Sequence, residues 1–173
     1  MLDDLTERVQ SSQNKIENLV AKIPGYAGYK AKEQRREADR LLRVHVAAQY
    51  QEQLNRLNAM QYALTSGGQL RLILVLERAV MKLQLLIDRI KTASYGYAGL
   101  FDAVKVDEEV LDRLYDFDES MLNGADRLAT LLSNLQDAAA SDALTLADGN
   151  ELVALLEELN DTFSHRQDVV LAQ

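Results

Sequence analysis

The segment Leu70–Ile90 constrains the fold more than any other, because it is apolar around most of its circumference. An ordinary surface helix carries a single apolar stripe, whereas this segment has apolar residues on several sides. Its main seam repeats at alternating spacings of four and three residues, as helix packing requires: Leu72, Leu76, Ala79, Leu83, Leu86 and Ile90. We therefore expect a helix that is the most buried element of a helical bundle, with neighbours on several flanks.

Two further helices are predicted before this segment from the same three-and-four rhythm. The first is expected at about Leu2–Lys22. It ends at Pro24-Gly25, because proline cannot continue a helix and glycine tolerates the backbone angles of a C-terminal cap. The second is long, at about Lys30–Thr65. The turn Ser66-Gly67-Gly68 then brings it back against Leu70–Ile90 as an antiparallel neighbour.

Two more helices are predicted after it. The fourth begins at the N-cap Asp107 and passes through Asn123-Gly124, because the apolar rhythm keeps its phase on both sides of that pair. Residues 138–147 are predicted to form a loop, with room for a turn of helix. Asp148 followed by Glu151 has the spacing of a capping box, which marks the start of the fifth helix. The predicted fold is all-α, a single domain over residues 1–173. It is an up-and-down four-helix bundle with an additional C-terminal helix.

A short sequence occurs twice between predicted helices. Gly25-Tyr26-Ala27-Gly28 recurs as Gly96-Tyr97-Ala98-Gly99, and the match extends backwards from Ile16–Leu19 to Ile87–Ile90. The pattern predicts a duplicated helical hairpin, and chance is the competing explanation, because four-residue identities are not rare in helical proteins. The repeat units would be 1–65 and 69–138, with an extra helix at 148–171.

Composition excludes several classes of function. The 173 residues include no cysteine, so disulfides, thiolate metal sites and cysteine nucleophiles are ruled out. A net charge of −8 argues against bulk attraction to nucleic acid or anionic membranes. The opening MLDDLTERVQ lacks the basic-then-apolar order of a signal peptide, and charged residues interrupt every long apolar run. We therefore expect a cytoplasmic protein.

Charge is distributed unevenly between the two suspected repeats. The basic segment 30–43 opposes the dipole of the second helix and so does not serve helix stability, whereas the region after the second GYAG sequence is acidic. Either the two segments are complementary surfaces, within one chain or between subunits, or each is a solvated helix face with intrahelical ion pairs. The GYAG loops likewise either close the bundle ends or hold a partner segment. The residues of this predicted interaction surface are Tyr26, Tyr29, Lys32, Arg35, Arg36, Arg40, Tyr95 and Tyr97.

Two polar residues, His45 and Asp118, mark a second candidate site inside the bundle. Asp118 interrupts the apolar seam of the fourth helix, so its carboxylate needs a partner or access to water. It is either part of a buried ion pair that fixes helix register or a ligand-binding or catalytic group. Neither His45 nor His165 has a glutamate three residues before it, so the di-metal motif of ferritin-like bundles is absent. The sequence therefore assigns no catalytic residue, metal ligand or cofactor.

The predicted function is that of a non-enzymatic helical interaction or scaffold protein, which binds another protein or a second copy of itself. The first alternative is a small-molecule- or metal-dependent enzyme whose polar site includes His45 and Asp118. The second is an adaptor for a membrane surface or another anionic partner, bound through the basic segment 30–43. No nucleic-acid partner is expected, because acidic residues dilute that segment.

Overall fold

A computed structural model describes residues 13–28, 35–65, 67–93 and 108–165. Within these ranges the chain is helical apart from its connections, and it contains no strand. The all-α prediction is confirmed. The five helices of the described ranges are α1 at 13–22, α2 at Arg35–Thr65, α3 at Leu70–Thr92, α4 at Glu108–Ala140 and α5 at Leu146–Ser164.

The four long helices form two hairpins that pack against each other. α2 and α3 are joined at Gly67-Gly68, where Gly68 has a φ of 70°, in the left-handed region that favours glycine. α4 and α5 are joined by residues 141–145. α3 packs on both α2 and α5, and α4 also packs on both α2 and α5. The four long helices therefore enclose one core. The C-terminal helix, predicted as an addition to the bundle, is one of these four, and the short α1 is the additional helix among the described residues.

Neighbouring helices from different hairpins run in the same direction. The hydroxyl of Tyr50 in α2 donates to the carbonyl of Met121 in α4 at 3.1 Å. Further along both helices, Arg56 donates to the side chain of Gln136 at 2.7 Å. The pairing therefore advances in the same sense along α2 and α4, whereas each hairpin is antiparallel within itself.

The helical seams predicted from the sequence form the core. The six seam residues of α3 are all buried, as are the inward residues of α5 between Leu152 and Phe163. Tyr50 and Leu57 of α2 have no exposed surface, and neither does Leu128 of α4. The periodicity therefore identified the inward face of each long helix correctly.

Gly124 lies in the middle of α4, and the helix passes through it as predicted. A β-carbon at this position would lie 2.5 Å from Leu159 Cδ2 of α5 and 2.8 Å from the hydroxyl oxygen of Tyr50 in α2. A β-carbon essentially never makes non-bonded contacts shorter than 3.0 Å, so the missing side chain is what allows α4 to approach both neighbours closely.

The boundary between α4 and α5 differs from the prediction. α4 continues to Ala140, so the predicted loop at 138–147 is partly helical. The capping box is formed by Thr145 and Asp148, not by Asp148 and Glu151: the Thr145 side chain accepts from the Asp148 amide, and the Asp148 carboxylate accepts from the Thr145 amide. Both residue pairs have the required spacing. The earlier start is favoured because it adds nearly a turn of backbone hydrogen bonds.

α1 ends at residue 22, before Pro24, as predicted. Its buried face includes Leu19, and Ile23 just after it is equally buried. At Gly25, which has a φ of 79°, the chain passes Leu41 near the start of α2. Several predictions lie outside the described residues: the chain before residue 13, the N-cap Asp107 and the second GYAG sequence at 96–99. The duplication of a hairpin therefore stays a prediction.

Candidate functional site

The outward face of α3 is both apolar and exposed. Its large apolar side chains are between 52% and 66% exposed: Leu70, Leu74, Met81 and Leu85. At about 100° per residue, these positions fall within about 60° of the helix circumference. Their centre lies about 180° from the centre of the buried face, so the side chains point directly away from the core. We call this surface the outer stripe of α3.

This exposure corrects the expectation that α3 is the most buried element and has neighbours on several flanks. The described helices that pack on α3 most closely are α2 and α5. Because a helix in a four-helix bundle has two lateral neighbours, its far side remains open unless a further element covers it. None of the described helices covers the outer stripe.

Polar contacts with α5 fix the rotation of α3. Lys82 Nζ lies 2.8 Å from Glu157 Oε1, and this contact lowers the pKa of the Glu157 carboxyl. Arg89 donates to the hydroxyl of Ser164 at 2.7 Å, and its guanidinium lies 5.5 Å from the centre of the Phe163 ring. These contacts hold the C-terminal half of α3 against α5, and the direction of the outer stripe follows from this packing.

Two charged residues, Glu77 and Arg78, lie halfway along the length of the outer stripe, and both are exposed. They project on either side of its centre line, with Leu74 one turn before them and Met81 one turn after. An apolar centre with polar residues at its edge is the usual composition of a protein–protein interface.

The predicted interaction surface is not brought together by the described residues. Tyr26 is buried rather than exposed, which corrects its assignment to a surface: its ring is enclosed, and its hydroxyl donates to Asp118 Oδ2 at 3.3 Å. Arg40 is exposed and donates to the Glu37 carboxylate at 2.6 and 2.9 Å, which lowers the pKa of Glu37 and raises that of Arg40. Arg35 and Arg36 belong to α2, but their side chains lie outside the described structure. The remaining members are also outside it: Tyr29, Lys32, Tyr95 and Tyr97.

The charged segments have partners other than each other among the ion pairs described. Within the basic segment, Arg43 pairs with Asp39 of the same helix at 2.8 Å. At the acidic start of α4, Asp116 pairs with Lys15 of α1. The pairs in α2 have the intrahelical form that was one of the two interpretations, and α1 supplies positive charge to α4.

His45 and Asp118 lie on neighbouring helices but contact different groups. Asp118 is fully buried and accepts the hydrogen bond from Tyr26, so it anchors the chain that follows α1. His45 is half-buried, with Nε2 at 3.1 Å from Gln49 Nε2. Burial, and secondly the positive charge of Lys22, lower the pKa of His45, so its ring is neutral at pH 7.

The hollows between the described helices include an open groove and a small cavity. A groove of about 730 Å³ runs between α4 and α5, where the ion pair of Arg127 and Glu158 at 2.7 Å crosses it. Both of these side chains are about half exposed, so the groove is open and hydrated. A cavity of about 10 Å³ lies at one end of the core beside Ile90, Phe117 and Phe163. A space of this size holds at most one water molecule.

Within the described part of the chain, no group of three or more His, Cys, Asp or Glu residues is placed to hold a metal ion. None of the helices there is long and apolar enough to span a membrane. Comparison with known protein families, characterised proteins and solved structures found no match. Function is therefore inferred from the residues of this chain alone.

The outer stripe was missed by sequence analysis, although its signal is present. Leu70, Leu74, Met81 and Leu85 follow one another at spacings of four, seven and four residues, which places them on one helix face. An apolar residue has the same periodic pattern whether it faces a core or a partner, so the segment was assigned to the core as a whole. α3 has more apolar faces than the two lateral neighbours of a bundle helix can cover, and this comparison predicts that one apolar face is exposed.

Proposed function

We propose that the protein is a non-enzymatic helical interaction module, which binds another polypeptide through the outer stripe of α3. The observation that supports this is the exposure of four large apolar side chains on one helix face. Single exposed apolar residues are ordinary, but a contiguous apolar face with a polar edge is typical of a binding surface. Binding would remove the stripe from water, which is the main driving force of most protein association.

The size of the stripe indicates a transient contact rather than a permanent one. Full burial of one Leu or Met side chain contributes about 1.5–3 kcal/mol relative to full exposure. Since about half of each side chain is already covered, burial of the rest contributes on the order of 4 kcal/mol for the four residues before the entropic cost of association. Further contacts at the edges of the stripe are therefore needed for stable binding.

A cytoplasmic location is part of this proposal. The chain has no cysteine, a composition that suits a reducing compartment. The outer stripe replaces the GYAG end of the bundle as the proposed contact surface, because Tyr26 at that end is buried.

A photo-crosslinking experiment tests the proposed function. Gln84 is exposed beside the stripe, and a photoreactive phenylalanine analogue in its place would label whatever binds there. We expect discrete protein adducts upon irradiation in cells, and their loss when Leu74→Glu and Met81→Glu are added. The same probe at Val44, 58% exposed on α2, is the control. Equal labelling from both probes, or adducts that persist in the glutamate variant, would contradict the proposal.

A further inference from the structure

The outer stripe of α3 is complementary to itself. Its apolar residues are symmetric about the midpoint between Glu77 and Arg78: Met81 lies as far beyond that point as Leu74 lies before it. Leu85 and Leu70 are related in the same way. When a second α3 is laid antiparallel on the first, with a two-fold axis through this midpoint, every apolar residue of the stripe meets an apolar residue.

We propose that the outer stripe binds a second copy of this chain, with the two α3 helices antiparallel. Leu74 of each copy packs on Met81 of the other, and Leu70 packs on Leu85. This inference rests on the proposed function and deepens it by naming the partner. The contact is isologous, so the same surface of each chain forms both halves of the interface.

The charged residues at the centre of the stripe lie at the two edges of this contact. The two Glu77 residues lie on one edge and the two Arg78 residues on the opposite edge, so the charge around the axis sums to zero. At the edges the four charged groups remain in water, which screens the interaction between like charges. Both residues are exposed in the single chain, so their aliphatic stems are free to pack over the apolar pairs.

Asp88, which lies nearer the centre line of the stripe than Glu77, favours the antiparallel over the parallel orientation. It lies on the same helix face as Leu74 and Met81, one turn beyond Leu85. In a parallel pair, Asp88 would face its own copy and the two carboxylates would repel. In the antiparallel pair it lies beside the N-terminal end of the other α3, where the helix dipole favours negative charge.

The N-terminal end of α3 has no negative charge of its own. Gln69 at the N-cap makes no side-chain capping hydrogen bond, and the first turn of α3 contains no acidic residue. α5, by comparison, has a complete capping box. Asp88 from the second copy would therefore supply a charge that this helix end lacks.

Disulfide cross-linking tests this geometry directly, because the chain has no cysteine of its own. Leu74→Cys and Met81→Cys are oxidised separately and as a mixture. In the antiparallel dimer, position 74 faces position 81, whereas two cysteines at position 74 are about 10 Å apart along the axis, too far for a disulfide. We expect the mixture to form cross-linked dimer at least tenfold faster than Leu74→Cys alone.

Two further variants complete the test. Glu77→Cys leaves all four apolar residues in place and lies at the axis, so it is expected to cross-link with itself. Val44→Cys, exposed on α2, gives the rate of random collision. Rapid cross-linking of Leu74→Cys with itself would overturn the antiparallel arrangement. Rates at the Val44→Cys level for both the mixture and Glu77→Cys would overturn self-association. The photo-crosslinking experiment would still decide whether the stripe binds a different protein, so the two proposals fail separately.

Discussion

Gly124 shows how one residue sets the distance between three helices. Glycine in a helix interior is about 1 kcal/mol less favourable than alanine, so its place in the middle of α4 needs a compensating contact. The space that a β-carbon would occupy is taken by Leu159 and the Tyr50 hydroxyl. Both of these residues are buried, so neither moves aside without repacking its neighbours.

We predict that Gly124→Ala lowers the free energy of unfolding by about 1–3 kcal/mol, because overpacking outweighs the gain in helix propensity. Urea denaturation followed by circular dichroism measures the change. Asn123→Ala is the matched control: it is the neighbouring exposed position, where only propensity changes, and it should alter stability by less than about 0.5 kcal/mol. Equal stability of the two variants would show that α4 does not depend on this close approach.

His45 carries a prediction about pH. Burial, followed by the charge of Lys22, lowers its pKa in the folded protein. The unfolded chain therefore binds more protons between the folded pKa and the ordinary value of about 6.5. Neutral His45 therefore contributes its full stability at pH values above about 6.5. This contribution is lost as the pH falls from about 6.5 through the pKa of His45 in the folded protein. His45→Gln should remove this part of the pH dependence.

The contribution of Lys22 is measured separately by NMR titration. We predict that Lys22→Gln raises the pKa of His45 towards its ordinary value, but only in part, because burial is the larger cause. The chain has two histidines, so the His45 signal is assigned by comparison with the His45→Gln variant. An unchanged titration of His45 would contradict the role of Lys22.

At the scale of elements, α1 lies against the bundle as a cover over α4. Leu19 and Ile23 are each 1% exposed, although Val20 on the same segment is 49% exposed. The terminal Nζ groups of Lys15 and Lys22 form ion pairs with Asp116 and Asp126 of α4. Because exposed ion pairs contribute little to stability, the buried apolar pair should provide most of the binding of α1.

We predict that Ile23→Ala lowers the free energy of unfolding by about 2–4 kcal/mol, through lost burial and the cavity left behind. Val20→Ala, at an exposed position three residues earlier, should change it by less than about 0.5 kcal/mol. Thermal and urea unfolding of both variants make the comparison. Similar small effects in both would indicate that α1 contributes little to the folded state.

The elements also show what can be predicted from sequence. The seams of α2, α3, α4 and α5 were predictable because helical periodicity is a local property of neighbouring residues. The start of α5 was not, because Thr145–Asp148 and Asp148–Glu151 have the same capping spacing. Closure of the bundle end by the first GYAG loop was one of two interpretations, and the sequence could not choose between them because the partner of Tyr26, Asp118, lies far along the chain.

At the scale of the whole molecule, the two sides of the bundle differ. The side formed by α4 is covered by α1, which buries Leu19 and Ile23 there. The opposite side, formed by α3, keeps its apolar outer stripe exposed among the described residues. The sequence shows that α3 has more apolar faces than a bundle helix has neighbours, but it does not show which of these faces the rest of the chain covers.

The sequence therefore predicted the type of the candidate site but not its location. A contact between protein chains was expected from the lack of catalytic patterns and the uneven charge, and it remains a proposal. Its location moved from the GYAG end and the basic segment to the outer stripe. The residues responsible are Leu74 and Met81, which a periodic analysis groups with the core although they face away from it.

Sedimentation equilibrium on the intact chain tests the central claim most directly. The chain is measured from about 1 µM to 1 mM, the range of dissociation constants expected for so short a stripe, beside the Leu74→Glu, Met81→Glu variant. We predict that the mass rises with concentration from 19.4 kDa towards twice that value, and that the variant stays at 19.4 kDa. A single-chain mass for both proteins at every concentration, or equal association of both, would contradict self-association through the outer stripe.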